Sequence, residues 1–292
     1  MNASRRNPDR PALLKTGALA AFSLLMFTPF LVMLLTSLKT PNEIFSSSFV
    51  LAPASPQWKN FAEALGRGEW QRYFFNSIFV TLVAVAVSLV INSTAGYAFA
   101  RLSFKGRHLL FYVSLIGLMI PPQATMIPVF LILMRFPLAG GNDLLGVGGL
   151  GLVDSYWGLI LPYVAGSFGV FLFRQYYLNF PRALDDAARI DGLGGGKTFF
   201  HVYLPLSGPV VATLVTLKAT HSWNEYTWPL IITVSEKMRT VQLALTLFRE
   251  EYQTQWHLLM AATTVIILPL TVLFAASQRY FVAGIATTGI KG

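Results

Sequence analysis

Six long apolar runs, not the short amphipathic stretches of a soluble fold, set the pattern of this chain. They cover 16–38, 76–100, 109–134, 155–173, 204–234 and 258–278. A helix crossing a hydrocarbon layer needs ~20 mostly apolar residues at a rise of ~1.5 Å each. Each run meets that length, and five of the six carry no Asp, Glu, Lys or Arg. The pattern predicts an all-α integral membrane protein with six transmembrane helices, a single transmembrane domain over 1–292 and a polar connector at 174–203. The first run follows Arg5, Arg6, Arg10 and Lys15, like the start of a secretory signal. It is too long for a signal core and ends without a small-residue cleavage site, so it reads as a retained span.

Charge then orients the spans. The N-terminus, the 101–107 turn, the 174–203 connector and the tail together carry thirteen Lys and Arg; the alternate loops carry eight, and Lys218 lies inside a run. Basic residues accumulate on the cytoplasmic side, which puts both termini and the 174–203 connector inside a plasma (inner) membrane. Trp58, Trp70, Trp157 and Trp256 fall near run ends on the other side, as in an interfacial aromatic belt. The net charge of +9 reads as anchorage at an anionic lipid face, and no nucleic-acid partner is expected. Cysteine is absent, which excludes disulfides and thiolate metal sites. The four histidines have no paired spacing, so no metal site is expected and no catalytic cluster is visible.

Prolines interrupt the third and fourth runs at Pro121, Pro122, Pro128 and Pro162. Freed backbone carbonyls are tolerated at membrane depth where they pack on protein or line a wet cavity, so the prolines beside Gln123 point to a path through the bundle as well as to plain kinks. Gly96, Gly117, Gly166 and Gly169 would let helices approach closely.

The 174–203 connector is the most informative segment. Pro181 suits the first turn of a helix, where a missing N–H costs nothing. Asp185 and Asp186 come next, where the helix dipole favours anions, and Gly192 is placed to end the helix in a left-handed conformation. A second short helix starting near Lys197 would lead past Pro205 into the fifth span, giving a compact helix–turn–helix knob. Gly194-Gly195-Gly196-Lys197-Thr198 imitates a phosphate-binding loop, but the glycine that pattern requires five places before Gly196 is Asp191, and a polar helix rather than a strand precedes it. The chain therefore carries no nucleotide site or other cofactor of its own.

Asp186-Ala187-Ala188, then Gly192, then Val202-Tyr203-Leu204-Pro205 resembles the EAA loop of binding-protein-dependent ABC importer permeases, whose pattern is Glu-Ala-Ala, three residues, Gly, nine residues, Ile-x-Leu-Pro. The spacing agrees throughout; Asp186 stands for Glu and Val202 for Ile. Tyr97-Ala-Phe-Ala-Arg101-Leu, Ile120-Pro-Pro-Gln123, Trp223-Asn-Glu-Tyr226 and the tail Gly289-Ile-Lys-Gly292 extend the resemblance over most of the chain, towards the maltose-transporter-type carbohydrate permeases. The resemblance implies a type I ABC importer permease fold whose knob couples to a cytosolic ATPase through Asp185, Asp186, Ala187, Ala188, Arg189, Asp191, Gly192 and Pro205. It also implies a second permease subunit, two cytosolic ABC ATPase subunits that hold the ATP and Mg, and an extracytoplasmic sugar-binding protein. Gln123, Trp223, Asn224, Glu225 and Trp228 are candidates for a sugar path, since aromatic faces and amides suit a polyhydroxylated ligand; they are equally ordinary core residues. A different reading, an ion-coupled secondary transporter, rests on Lys218, His221 and Glu225, which share a helical face within a run. No second charged run completes a relay. A membrane-embedded enzyme is the third reading, and it finds no converging catalytic side chains.

Overall fold

The computed structural model describes residues 10–46, 50–249 and 254–288; Arg5, Arg6 and the tail motif 289–292 lie outside them. Helices dominate, and three single helices are long and apolar enough to cross a membrane: Lys15–Ser37, Trp70–Arg101 and Trp256–Gln278. Three bent pairs complete the set, namely Arg107–Leu118 with Pro122–Met134, Tyr156–Tyr163 with Ser167–Leu178, and Gly195–Tyr203 with Pro205–Asn224. Counting each pair as one crossing gives six spans.

The chain divides into two units, 1–68 with 245–267, and 69–244 with 268–292. In the first, α1 (Arg10–Ser37) and α2 (Lys59–Gly66) both pack against a later helix, Trp256–Ile266. The end of α1 is held by the buried Asn60, whose Nδ2 donates to the Ser37 and Lys39 carbonyls at 2.8 and 2.9 Å. Lys39 is itself a buried residue, and its ammonium donates to the Val50 carbonyl. Leu19, Phe22, Leu24, Leu25 and Phe27 along α1 are exposed, as expected of a helix whose solvent is lipid.

The second unit is built on α3 (Trp70–Arg101) and α7 (Ser167–Leu178), the most extensive helix pair. Glycines set their approach. A Cβ on Gly96 of α3 would lie 2.5 Å from the Phe173 Cβ and 2.9 Å from the Arg174 amide; one on Gly169 of α7 would lie 2.5 Å from the Asn92 side chain. Small residues that let backbones meet are how helices associate without a hydrophobic driving force. The same holds at Gly117, where a Cβ would meet the Ser167 hydroxyl at 2.4 Å.

The proline breaks are sharper than kinks. Between α4 (Arg107–Leu115), its 3₁₀ extension to Leu118, and α5 (Pro122–Met134) the chain turns by 102°. Pro121 and Pro122 remove two amide donors, and each disfavours helix for the residue before it. The next pair, α6 (Tyr156–Ile160) with its extension through Pro162 to Tyr163 and then α7, bends by 44° at the extended Gly166.

The fifth run, 204–234, is not one helix. A knob helix α8 (Ala183–Ile190) and a short α9 (Gly195–Thr198) lead through a π-helical turn, Phe199–Tyr203, into α10 (Gly208–Asn224). The chain breaks at Glu225 and resumes as α11 (Thr227–Ile232). Glu225 causes the break: its Oε1 accepts from the Thr227 and Trp228 amides at 2.9 and 3.1 Å, satisfying donors that open a new helix. Hydropathy sees a continuous run across this cap because both sides of it are apolar. The unit closes with α12 (Leu268–Thr288), which packs on α10.

Past α11, the strap 233–241 is tied to the body of the unit by side chains that hydropathy does not single out. Asp154, at φ +55°, accepts the Val234 and Ser235 amides at 2.9 and 3.0 Å. The fully buried Asn76 donates to the Lys237 and Arg239 carbonyls and accepts from the Tyr156 hydroxyl at 2.8 Å. Burial acts to raise the Asp154 pKa, but the Ser235 and Val234 hydrogen bonds outweigh it and hold the carboxyl below its ordinary value. A depressed carboxyl stabilises the fold above its unfolded value of about 3.9 and loses that contribution as pH falls through the folded value. Asp154→Ala should therefore expose the strap to limited proteolysis at neutral pH, with a change of several-fold in cleavage rate; unchanged cleavage would show that the carboxylate does not hold it.

Candidate functional site

The knob is a closed structural unit. Helix α8 ends in a Schellman arrangement: the Leu193 amide donates to the Ala188 carbonyl at 2.8 Å and the Gly192 amide to the Arg189 carbonyl at 3.0 Å, with Gly192 at φ +71°. The helix is fastened from below by Arg101, the last residue of α3. Its guanidinium pairs with Asp185 at 3.0 Å through Nη1, donates to the Tyr177 carbonyl at 3.1 Å through Nε, and reaches the Phe180 carbonyl through Nη2. The Tyr203 hydroxyl donates to the other Asp185 oxygen at 2.7 Å. Tyr97, Tyr177, Phe180 and Tyr203 pack ring against ring around this bridge, and the Arg101 guanidinium sits 5.3 Å from the Tyr203 centroid. With one side chain gathering α3, α7 and α8, the knob cannot swing freely.

The faces of α8 divide cleanly. Asp185 and Ala188 point inward, Ala188 only 3% exposed. Asp186, Ala187, Arg189, Asp191 and Gly192 are exposed, as is Pro205 at the start of the fifth span. Ile190 is 87% exposed, a large apolar side chain between Arg189 and Asp191 that the motif does not single out. Its signal is local: one isoleucine between Arg189 and Asp191 has no partner within the knob's own pattern. The glycine run Gly194–Gly196 that imitates a phosphate loop instead starts α9; Thr198 is buried and its hydroxyl donates back to the Gly194 carbonyl at 3.1 Å.

A second candidate region is a cavity of about 720 Å³ in the same unit, walled by α5, the turn through Pro162, α10 and α11. Gln123, Lys218, His221, Glu225 and Trp228 all line it. Lys218 donates to the Tyr163 carbonyl at 3.1 Å, and the His221 ring lies 5.6 Å from that of Tyr163. Trp228 is anchored through its indole N–H to the Gly158 carbonyl at 3.0 Å. Trp223 and Asn224 do not line the cavity. Trp223 is buried, with its ring 6.3 Å from that of Phe74, and the Asn224 side-chain Oδ1 accepts from the Gln242 Nε2 at 3.1 Å. Tyr163, Phe168 and Met126 complete the wall, though nothing in the sequence marks them out. Among the described residues no group of His, Cys, Asp or Glu is arranged to hold a metal ion.

Residues 92–287 match the family described as binding-protein-dependent transport system inner membrane component. The chain belongs to that family. The permease is 35% identical over 266 residues to the probable ABC transporter permease protein YurM of Bacillus subtilis, covering 90% of this chain and 83% of that one. It is 34% identical over 282 residues to the arabinooligosaccharides transport system permease protein AraQ of Halalkalibacterium halodurans, covering 96% of both. A crystal structure of a bacterial ABC transporter involved in the import of the acidic polysaccharide alginate contains a chain of the same fold, with TM-score 0.77 at 22% identity, covering 96% of this chain and 100% of that one.

Membership settles the class: an ABC-transporter permease, multi-pass in the inner membrane, working within a binding-protein-dependent system. It displaces both the ion-coupled carrier and the membrane enzyme. The trio behind the carrier reading does share one cavity of the permease, but Glu225 caps α11 and Lys218 is satisfied by a backbone carbonyl.

Proposed function

We propose that this permease forms half of the translocation pathway of an ATP-driven carbohydrate importer. In this reading its knob, on the cytoplasmic side with both termini, is the element gripped by one of two cytosolic ATPase subunits, which carry the ATP and Mg. A second permease subunit forms the other half of the pathway, and an extracytoplasmic binding protein delivers the sugar. The observation that carries the coupling role is the two-sided α8: its inner face is pinned by Arg101, while its outer face offers the exposed Asp186, Ala187, Arg189 and Ile190, whose one ion pair among the described residues is Asp186–Arg189 at 4.0 Å. A pinned element transmits displacement; a loose loop absorbs it. Asp185 and Ala188 support the knob from within, and Gly192 shapes its end. The carbohydrate assignment follows the name of the AraQ relative and the cavity, where Trp228, Tyr163, Gln123 and Lys218 combine ring faces with hydrogen-bonding groups.

The test is coupling. Asp186→Lys and Ile190→Glu each alter an exposed side chain, so the subunit should insert and pair as before. Co-purification of the ATPase and substrate-stimulated ATP hydrolysis should fall on the order of tenfold or more, because an interface loses an apolar anchor or a charge-assisted bond. Full coupling in both variants would remove α8 as the contact.

A further inference from the structure

Beneath the knob lies a second cavity of about 560 Å³, enclosed by the end of α3, the turn after it, and α8. Four guanidinium groups line it, from Arg101, Arg107, Arg182 and Arg189, against the two carboxylates of Asp185 and Asp186. The charges do not cancel. Asp185 is taken by Arg101 and Tyr203. Among the described residues the Asp186 carboxylate reaches only Arg189, at 4.0 Å with both side chains exposed. Arg107 donates to the Leu102 carbonyl at 3.0 Å and approaches the neighbouring His108 ring at 3.4 Å, and among the described residues neither it nor Arg182 has a carboxylate within salt-bridge distance.

Both of these arginines also stand at the wrong end of a helix. Arg107 is the first residue of α4, and Arg182 occupies the cap position before α8. The positive end of the helix dipole disfavours cations there, so two uncompensated guanidinium groups face one cleft from two helix starts. An oxyanion in that cleft would relieve both. Its level relative to the membrane says which oxyanion. Arg101 ends one span and Arg107 begins the next, which places the cleft at the boundary between hydrocarbon and headgroups. Directly beyond Arg107, α4 exposes Leu109, Leu110, Tyr112 and Val113, an apolar track leading away from the cleft along the span.

We propose that this cavity holds the phosphate of an acidic phospholipid, with Arg107 and Arg182 on its oxygens and the acyl chains lying along α4. Guanidinium forks match phosphate geometry, and basic pockets between spans are sites for acidic headgroups. A lipid seated here would brace the base of the knob from the membrane side. The proposal rests on the membrane placement of α3 and α4 and not on the coupling role of α8, so it is tested without transport.

The permease, purified with its partner subunits in detergent, is supplied with equal amounts of phosphatidylglycerol and phosphatidylcholine, and retained lipid is read by native mass spectrometry. Wild type should retain phosphatidylglycerol in preference, and Arg107→Gln and Arg182→Gln should each lower that retention on the order of tenfold, the effect of losing one charge-assisted bond. Lys105→Gln, on the same turn but outside the cavity lining, should leave retention unchanged. Arg182 makes no hydrogen bond among the described residues to any other group through its side chain, so its substitution reads binding separately from folding, and thermal unfolding of each variant is followed alongside. Retention unaffected by either arginine, or lowered as much by Lys105→Gln, overturns the site. Displacement of phosphatidylglycerol by millimolar inorganic phosphate would make the ligand a soluble anion and overturn the lipid assignment. Lipid bound only when the ATPase is absent would assign the arginines to an acidic segment of that partner and equally overturn it.

Discussion

Arg101→Ala should produce a permease that reaches the membrane but loses its knob as a rigid element. The Arg101 side chain is 8% exposed and serves Asp185 and two backbone carbonyls at once. Among the described residues, its removal leaves the partly buried Asp185 carboxylate without a counterion, with only the Tyr203 hydroxyl as side-chain partner, and strips the Phe180 and Tyr177 carbonyls of a donor. Breaking one side of a buried pair costs about 3–5 kcal/mol, because the other charge stays behind. The measurable results are protease cleavage between Phe180 and Leu193, a fall in thermal stability of the solubilised subunit, and loss of retained ATPase by tenfold or more. Arg101→Lys should rescue little, since an ammonium cannot present the planar fork that reaches α7 and α8 together. Intact knob protection in both variants would mean that the aromatic packing alone holds α8.

Gly96→Val should prevent the second unit from packing at its main helix crossing. The added Cβ alone would fall 2.5 Å from the Phe173 Cβ and 2.9 Å from the Arg174 amide, and neither is a flexible side-chain tip that can swing away. The helices α3 and α7 must then separate, opening the packing that also positions Arg101 and the base of the knob. Overpacking costs about 1–3 kcal/mol where neighbours can shift and more where backbone blocks them, so little folded protein is expected in detergent extracts, read by size-exclusion chromatography. Gly196→Ala is the matched control. Nothing lies within 4 Å of its added carbon, and alanine favours the short helix there. Equal yields for the two variants would show that the crossing of α3 and α7 tolerates separation.

How far the fold could be read from the sequence depended on whether the signal was local. The spans were legible because a run of ~20 apolar residues has few other uses, and the knob because its proline, its early carboxylates and its terminal glycine are local instructions. Breaks were less legible. Glu225 looked like a charge stranded within a span, whereas it caps a helix that begins two residues later, and this cap ends the fifth helix at Asn224. Which way each knob residue faces was not legible either. Asp185 and Asp186 are chemically alike and adjacent, yet a step of ~100° around the helix sends one into the Arg101 bridge and the other to the surface. Arg101 itself counts, in sequence, among the loop charges that orient the protein, because its partner lies 84 positions away. Gln123, Glu225 and Trp228, candidates by residue type, line the cavity, while Trp223 and Asn224, candidates by the same argument, make their contacts outside its lining.

The π-helical turn before Pro205 gives the motif's spacing a meaning of its own. Its bond from the Leu204 amide to the Phe199 carbonyl, at 2.8 Å, spans five residues where an α-helix spans four. One surplus residue in a turn shifts the azimuth of everything before it by roughly 100° relative to everything after it. That offset brings Tyr203 round to Asp185 while Pro205 stays exposed. The bearing of the knob about the axis of the fifth span is thus set by arithmetic: the number of residues between Gly192 and Val202 acts as a dial, and the identities of the side chains along it can vary more freely than their count.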